Sequence, residues 1–144
     1  MYILLDVDHT ISNSFWRDPM IGSAAWDEYH EASKDDKPFK NMVNLINSLA
    51  AMGYDIIVVS GRPEKFRALT LSWFLKNRVH IDEMLLRPDD MYLKNAEMKA
   101  YLIDVRFEGN YNKVHFAIED NEEACIAYHK LGITTLQIRN IAGD

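Results

Sequence analysis

Cysteine is nearly missing from this chain: Cys125 is the only one in 144 residues. A lone thiol excludes an intramolecular disulfide and any cysteine-based zinc cluster, and it fits a reducing, cytoplasmic setting. No apolar run approaches the ~20 residues that a membrane-spanning helix needs. The N-terminus carries neither the basic region nor the long apolar stretch of a secretory signal. Positive charge is also short, with 16 Lys+Arg against 22 Asp+Glu and a formal net charge of -6. That balance argues against a protein that grips long nucleic acid through general electrostatics, while a local basic pocket for a small or terminal phosphate stays open. A GxxxxGK(S/T) loop is absent, so no P-loop nucleotide site is expected. His30, His80, His115 and His129 lack ligand spacing such as HxxxH and read as surface or core residues. There is no internal repeat, low-complexity tract or flexible linker.

What the chain does have is a core's worth of apolar residues, 48% of the total, beside 26% charged ones. At this length folding buries roughly 68–70% of the unfolded surface, so neither metal nor disulfide staples are needed. Short β-rich runs alternate with longer helical ones. Strands are expected over residues 2–7, 54–60, 83–87, 113–120 and 133–138. Helices are expected over 38–53, opened by Pro38 and stopped at Gly53, over 63–74, from Asn95 as N-cap, and over 121–132. Met42, Leu45, Ile46 and Leu49 set the apolar face of the first helix; Met98, Leu102 and Val105 set that of the third. Alternation of this kind predicts an α/β, three-layer, doubly wound, Rossmann-like parallel sheet of about five strands with helices on both faces. The whole of 1–144 reads as a single domain, with residues 11–37 as a small cap insertion. Trp16, Trp26 and Tyr29 lie in that insertion; the plainer reading makes them an extension of the core, the sharper one a lid above a site.

In doubly wound sheets ligands bind beyond the carboxyl ends of the strands. The first strand ends in Asp6-Val7-Asp8-His9-Thr10, and strand alternation sends Asp6 and Asp8 to one side. Two carboxylates so close repel each other, and a bound cation or protonation of one of them is the usual remedy. Mg2+, which prefers oxygen ligands, suits the pair. The second strand ends in Ser60-Gly61-Arg62, a hydroxyl, a flexible backbone and a guanidinium suited to an oxyanion. The fourth ends in Glu119-Asp120. Each signal alone is weak, since a solvated acidic loop or a helix cap explains it equally well. Together they would bring acid, anion receptor and acid to one edge.

The order DxDxT, a strand ending in SGR, a lysine on a helix and an acidic pair after a late strand resembles the haloacid dehalogenase superfamily, most of whose members are Mg2+-dependent phosphohydrolases. Within it the chain resembles the 3'-phosphatase domains of phage polynucleotide kinase/phosphatases, through "AMGYDIIVVSGR", the run Arg67, Thr70, Trp73, an arginine at Arg87 twelve residues before Lys99, and "GITTLQI". The likeness covers nearly the whole chain. It implies Asp6 as nucleophile, taking the phosphoryl group as an aspartyl-phosphate, and Asp8 as the acid that protonates the leaving alcohol and then activates water. Mg2+ would be held by Asp6, the Asp8 main-chain carbonyl and Asp120, with Glu119 adjacent. Thr10 and Ser60 would donate to phosphoryl oxygens beside Gly61. Lys99, favoured over Lys94 by its spacing from Arg87, would add positive charge. Arg17, Arg62 and Arg87 would engage phosphate or substrate, although Arg17 otherwise reads as a surface residue.

Three positions depart from the family pattern. His9 stands where glycine is usual, Asn95 where an acid precedes the lysine, and Glu119 where aspartate is usual. The resemblance implies a Mg2+-dependent phosphomonoesterase acting on 3'-phosphates of nucleotides or nucleic-acid ends, needing no membrane or obligate protein partner, and suggests a phage-encoded chain. A phosphatase of free nucleoside monophosphates or another small ester is the alternative, and a non-catalytic phosphate-binding module a third.

Overall fold

A computed structural model describes residues 1–22 and 25–141. Five parallel strands form the sheet: β1 (Tyr2–Leu5), β4 (Asp55–Pro63), β5 (Glu83–Arg87), β6 (Val114–Glu119) and β7 (Thr135–Gln137), in the order β5-β4-β1-β6-β7. Helices α2 (Lys40–Ala51), α3 (Arg67–Lys76), α4 (Asn95–Phe107) and α5 (Glu122–Lys130) connect them. Strands buried on both faces read as continuous apolar runs, and Ile56, Ile57, Val58 and Val59 of β4 are all within 1% of complete burial. Two clusters, one on each face, hold the layers together. Ile3, Leu5, Ile56 and Val58 pack with Ile46 and Phe74; Leu4, Ile57 and Val59 pack with Ile103 and Tyr128. The three-layer α/β expectation therefore holds. Among the described residues no helix is long and apolar enough to cross a membrane.

Several boundaries differ from the expected ones, each for a local reason. β1 ends at Leu5 rather than residue 7, although Asp6 N–H still donates to Ile118 O; beyond it Thr10, Ile11 and Ser12 N–H all turn back to Val7 O. Pro38 does not open α2. It pairs with Ser12 in a two-residue antiparallel ladder, β2 (Ser12–Asn13) with β3 (Lys37–Pro38), that closes the base of the insertion, and the helix starts at Lys40. β4 runs on through Pro63, and the single turn Glu64–Phe66 precedes α3. Asn95 is not the N-cap of α4; Lys94 holds that position. Leu45 and Val105, expected on buried faces, are 40% and 59% exposed: α2 turns Met42, Ile46 and Leu49 inward, and α4 turns Met98, Lys99, Ile103 and Phe107 inward. A periodic lysine on the buried stripe moved the true core face away from the one drawn through apolar residues alone.

The insertion holds a turn at Phe15–Met20, a short helix α1 (Trp26–Glu31) and a turn at Ala32–Asp35; residues 23 and 24 of the expected cap lie outside the described residues. Its aromatics divide: Tyr29 is buried, whereas Trp16 and Trp26 are half exposed, so they do not simply extend the core. The orientation of α4 makes a direct test. Ile103→Ala should cost about 2–5 kcal/mol as a fully buried truncation, while Val105→Ala should stay within about 0.5 kcal/mol, both measured by urea unfolding. Equal losses at the two positions would mean the helix is rotated from the face described.

Candidate active site

The carboxyl end of β1 is the centre of the sheet, and its two aspartates are drawn into separate cation networks. Asp6, 7% exposed, takes Lys99 Nζ at 2.7 Å and the Thr10 hydroxyl at 2.6 Å. Lys99 reaches it from α4 and donates also to Glu119 Oε2 at 2.6 Å. Lys94 sits on the exposed start of the same helix. Asp8 instead receives Arg62 Nη2 and Arg17 Nη2, each at 2.8 Å, and Arg62 Nε at 3.2 Å. Burial would push both carboxyls up, but Lys99 holds Asp6 below its ordinary value and the two guanidiniums hold Asp8 well below its own. Lys99 is fully buried yet raised, because Asp6 and Glu119 more than offset its desolvation.

Arg17 is completely buried, which corrects its reading as a surface residue. Sequence reasoning also missed the group that holds it. Asp36, at the end of the insertion, has a fully buried side chain that accepts Arg17 Nε at 2.8 Å, Arg17 Nη2 at 2.7 Å, Trp16 Nε1 at 2.8 Å and the Ser12 hydroxyl. Arg62 Nη2 stands 3.5 Å away. Its main-chain oxygen accepts Trp73 Nε1 at 2.8 Å, and Thr70 Oγ1 accepts Arg62 Nη1 at 3.3 Å. Thr70 and Trp73, quoted from a motif without roles, therefore line the same network. Asp36 lies in the run Lys34-Asp35-Asp36-Lys37, where nothing in the local pattern separates it from solvated charge.

The turn after β4 is a close approach. Gly61 faces Asn95, and a Cβ there would lie 2.5 Å from Asn95 Oδ1, so a larger residue would require the Asn95 side chain to shift. Ser60 Oγ accepts Arg62 N–H at 3.1 Å, an arrangement in which its own O–H remains a donor. Arg87 does not reach this carboxylate cluster. Its guanidinium donates to Gly61 O at 3.3 Å, Met91 O at 3.2 Å and Leu93 O at 2.6 Å, tying the loop after β5 to the turn. His9 does adopt the positive φ that its position demands, at 63°, and its ring stacks on Phe15 at 4.3 Å with Nε2 3.1 Å from Asp18. Asn140 Nδ2 donates to both His9 O and Thr10 O, fastening the turn from the C-terminal side.

Asp6, Glu119 and Asp120 present carboxylate oxygens within 4.8 Å of one another. Burial and then the Asp6 charge push Glu119 up to about 7; burial and then the hydrogen bond and charge of Asp6 push Asp120 up to about 9. One lysine does not neutralise three acids. The surplus of hard oxygen donors fits a small divalent cation such as Mg2+ better than a soft metal. Asp8's carboxylate lies outside this group, turned to its arginines.

By comparison with known proteins the chain belongs to a family of phosphatase domains in the haloacid dehalogenase superfamily. It belongs to a particular branch: a family model described as the polynucleotide kinase PNKP phosphatase domain matches residues 1–142. No curated protein matches. Among solved structures, a chain of the Pnkp1/Rnl/Hen1 RNA repair complex is similar at a TM-score of 0.82 and 22% identity, over 95% of this chain and 42% of that one. A predicted phosphatase from Clostridium acetobutylicum follows at 0.71 and 16%, over 94% and 83%. The class C acid phosphatase from Bacillus anthracis with tungstate bound gives 0.67 and 16%, over 96% and 66%. These likenesses concern the fold. The chain spans less than half the length of the Pnkp1-complex chain.

Asp36 supplies a prediction on stability. Asp36→Ala leaves the buried Arg17 Nε without its acceptor and Nη2 with Asp8 alone, and a broken buried pair costs about 3–5 kcal/mol. Urea denaturation should record that loss; a change below about 1 kcal/mol would mean Asp8 alone suffices for both arginines.

Proposed function

We propose that this chain is a Mg2+-dependent phosphomonoesterase that removes 3'-phosphates from nucleotides or nucleic-acid ends through an aspartyl-phosphate on Asp6. The observation that carries the reading is the state of Asp6, a nearly buried carboxylate kept ionised by Lys99 at the carboxyl edge of the central strand. Membership of the phosphatase-domain family supports the substrate class. The work would be done within one domain, with residues 11–37 as its small cap, in a reducing cytoplasm.

In this mechanism an Asp6 oxygen attacks phosphorus, an O–P bond forms, and the bond to the ester oxygen breaks. The leaving oxygen takes a proton from Asp8, which later removes one from the water that hydrolyses the acyl-phosphate and frees Asp6. Arg17 and Arg62 keep Asp8 ionised at rest, so it must first take up a proton from solvent, which it does when the anionic phosphate beside it raises its proton affinity. Lys99 fixes Asp6 and adds positive charge where the phosphoryl group accumulates negative charge. Thr10, now on Asp6, and Ser60 are the hydroxyls at hand for phosphoryl oxygens. Arg87 acts as a positioning residue for Gly61 and the loop after β5. Mg2+, held by Asp6, Asp120 and Glu119, would offset repulsion between the nucleophile and the phosphate dianion.

Asp6→Asn should abolish release of phosphate from any ester. Asp8→Asn should lose far more on alkyl esters than on an aryl phosphate, whose leaving group needs less proton assistance. Wild-type turnover in either variant would exclude the scheme. Chelation should silence the enzyme, Mg2+ should restore it, and Ca2+ should not, because its looser, larger shell misplaces the attacking oxygen.

Substrate class is decided by a side-by-side release assay on 3'- and 5'-phosphorylated oligonucleotides and on free 3'- and 5'-mononucleotides. Preference for the 3' esters is expected. A protein that prefers 5'-mononucleotides would instead be a general nucleotidase, the reading that the net charge of -6 favours.

A further inference from the structure

We infer that a hollow between α1 and the loop after β5 is a subsite for the base of the nucleotide whose phosphate is cleaved, which deepens the 3'-phosphatase reading and rests on it. The hollow has a volume of about 500 Å3, within the range of small-molecule sites. Gly61 is part of its lining, so it is continuous with the Ser60-Gly61-Arg62 turn. Arg87 ties the two together, since it donates to Gly61 O on one side and to Met91 O and Leu93 O, either side of Tyr92, on the other.

Its walls offer flat aromatic surfaces open to solvent. Trp26 is 51% exposed and Tyr92 is 93% exposed, and both line the hollow. Both rings present faces to water at one hollow, and a purine or pyrimidine stacks on such a face. His30 backs Trp26, their rings 6.2 Å apart and inclined by 26°, and Phe66 backs His30 at 5.4 Å, so the indole has a stiff support. His30 Nδ1 is buried without a hydrogen-bond partner. Unpaired buried polar atoms are uncommon and call for an explanation. A base edge, which offers both donors and acceptors, is one.

Charge selects the base over a second phosphate. The hollow's cations are Lys65 and Arg87, and its anions are Asp27 and Asp89. Lys65 Nζ is 2.7 Å from Asp27 Oδ1, and Asp89 accepts the Lys65 N–H at 3.0 Å. Two of each sign leave no net field for a phosphodiester backbone, so the occupant is flat and uncharged. Recognition would then be confined to the terminal nucleotide and would require little of the strand behind it.

The test compares kcat and KM on a nucleoside 3'-monophosphate with those on glycerol 2-phosphate, an ester without a ring. In Trp26→Ala and in Tyr92→Ala the ratio of the two kcat/KM values should fall at least fivefold, through KM and to the same extent in added salt. That is roughly the low end for loss of one base–aromatic stack. Tyr101→Ala, an exposed ring on α4, should leave the ratio unchanged. An unchanged ratio in both pocket variants, or an equal fall on both esters, overturns the subsite. A second measurement needs no turnover: adenosine 3'-monophosphate added to Asp6→Asn protein should quench tryptophan emission, and Trp26→Phe should remove that quench. Quenching through Trp26 without hydrolysis of 3' esters by the wild type would retire the 3'-phosphatase reading and keep the subsite. Hydrolysis without quenching or discrimination would do the reverse.

Discussion

Two carboxylates with one residue between them at the tip of a buried strand are both held charged in the resting site, and the cations that do so organise it. Burial penalises the charged form of each carboxyl unless a counter-ion stands beside it. The protein answers with cations from different elements. Asp6 is held by Lys99 from α4, and Asp8 by Arg17 from the insertion and Arg62 from the end of β4. Because each cation is itself buried, none is tolerated without its acid, and the pairs fix four pieces of chain around one strand end.

The sheet order makes that gathering possible. β1 is central, with β4 on one side and β6 on the other, so the tips delivering Arg62 and Glu119 flank the tip delivering Asp6. The chain reverses direction of winding at β1, and the crevice opened there is where doubly wound sheets bind ligands. The insertion then closes over the Asp8 side through Asp36, and Asn140 pins the turn from the far end of the chain. Positive φ at His9 is held in place by this frame, its strain offset in part by the ring contact with Phe15.

Elements with a strong period were readable in advance. β5 has the bounds its apolar run implied, and the parallel α/β class followed from alternation alone. Asp6, Asp8, Ser60, Lys99, Glu119 and Asp120 could be found because each follows a strand or falls at a motif spacing. Asp36 could not, since its importance lies in four donors that reach it from residues 12, 16, 17 and 62, and only tertiary contact distinguishes it from Asp35 beside it. Arg87 was found by spacing but its contacts were not, because carbonyl acceptors leave no trace in side-chain type. Val105 shows the same weakness on the apolar side: hydrophobic identity marked a face that a buried lysine had already claimed for another direction.

A consequence for specificity follows from where the positive charge lies. Lys99, Arg17 and Arg62 are all buried and already paired, and the rim cations Lys65 and Arg67 are each matched by an acid, Asp27 and Glu64. A net charge of -6, with the cations around the site already paired to acids, disfavours holding a polyanion by counterion release along its length. Any preference for a nucleic-acid end must then arise within reach of the cleaved phosphate. The proposed base subsite beside Gly61 would meet that need with two exposed rings, which discriminate by shape rather than by charge.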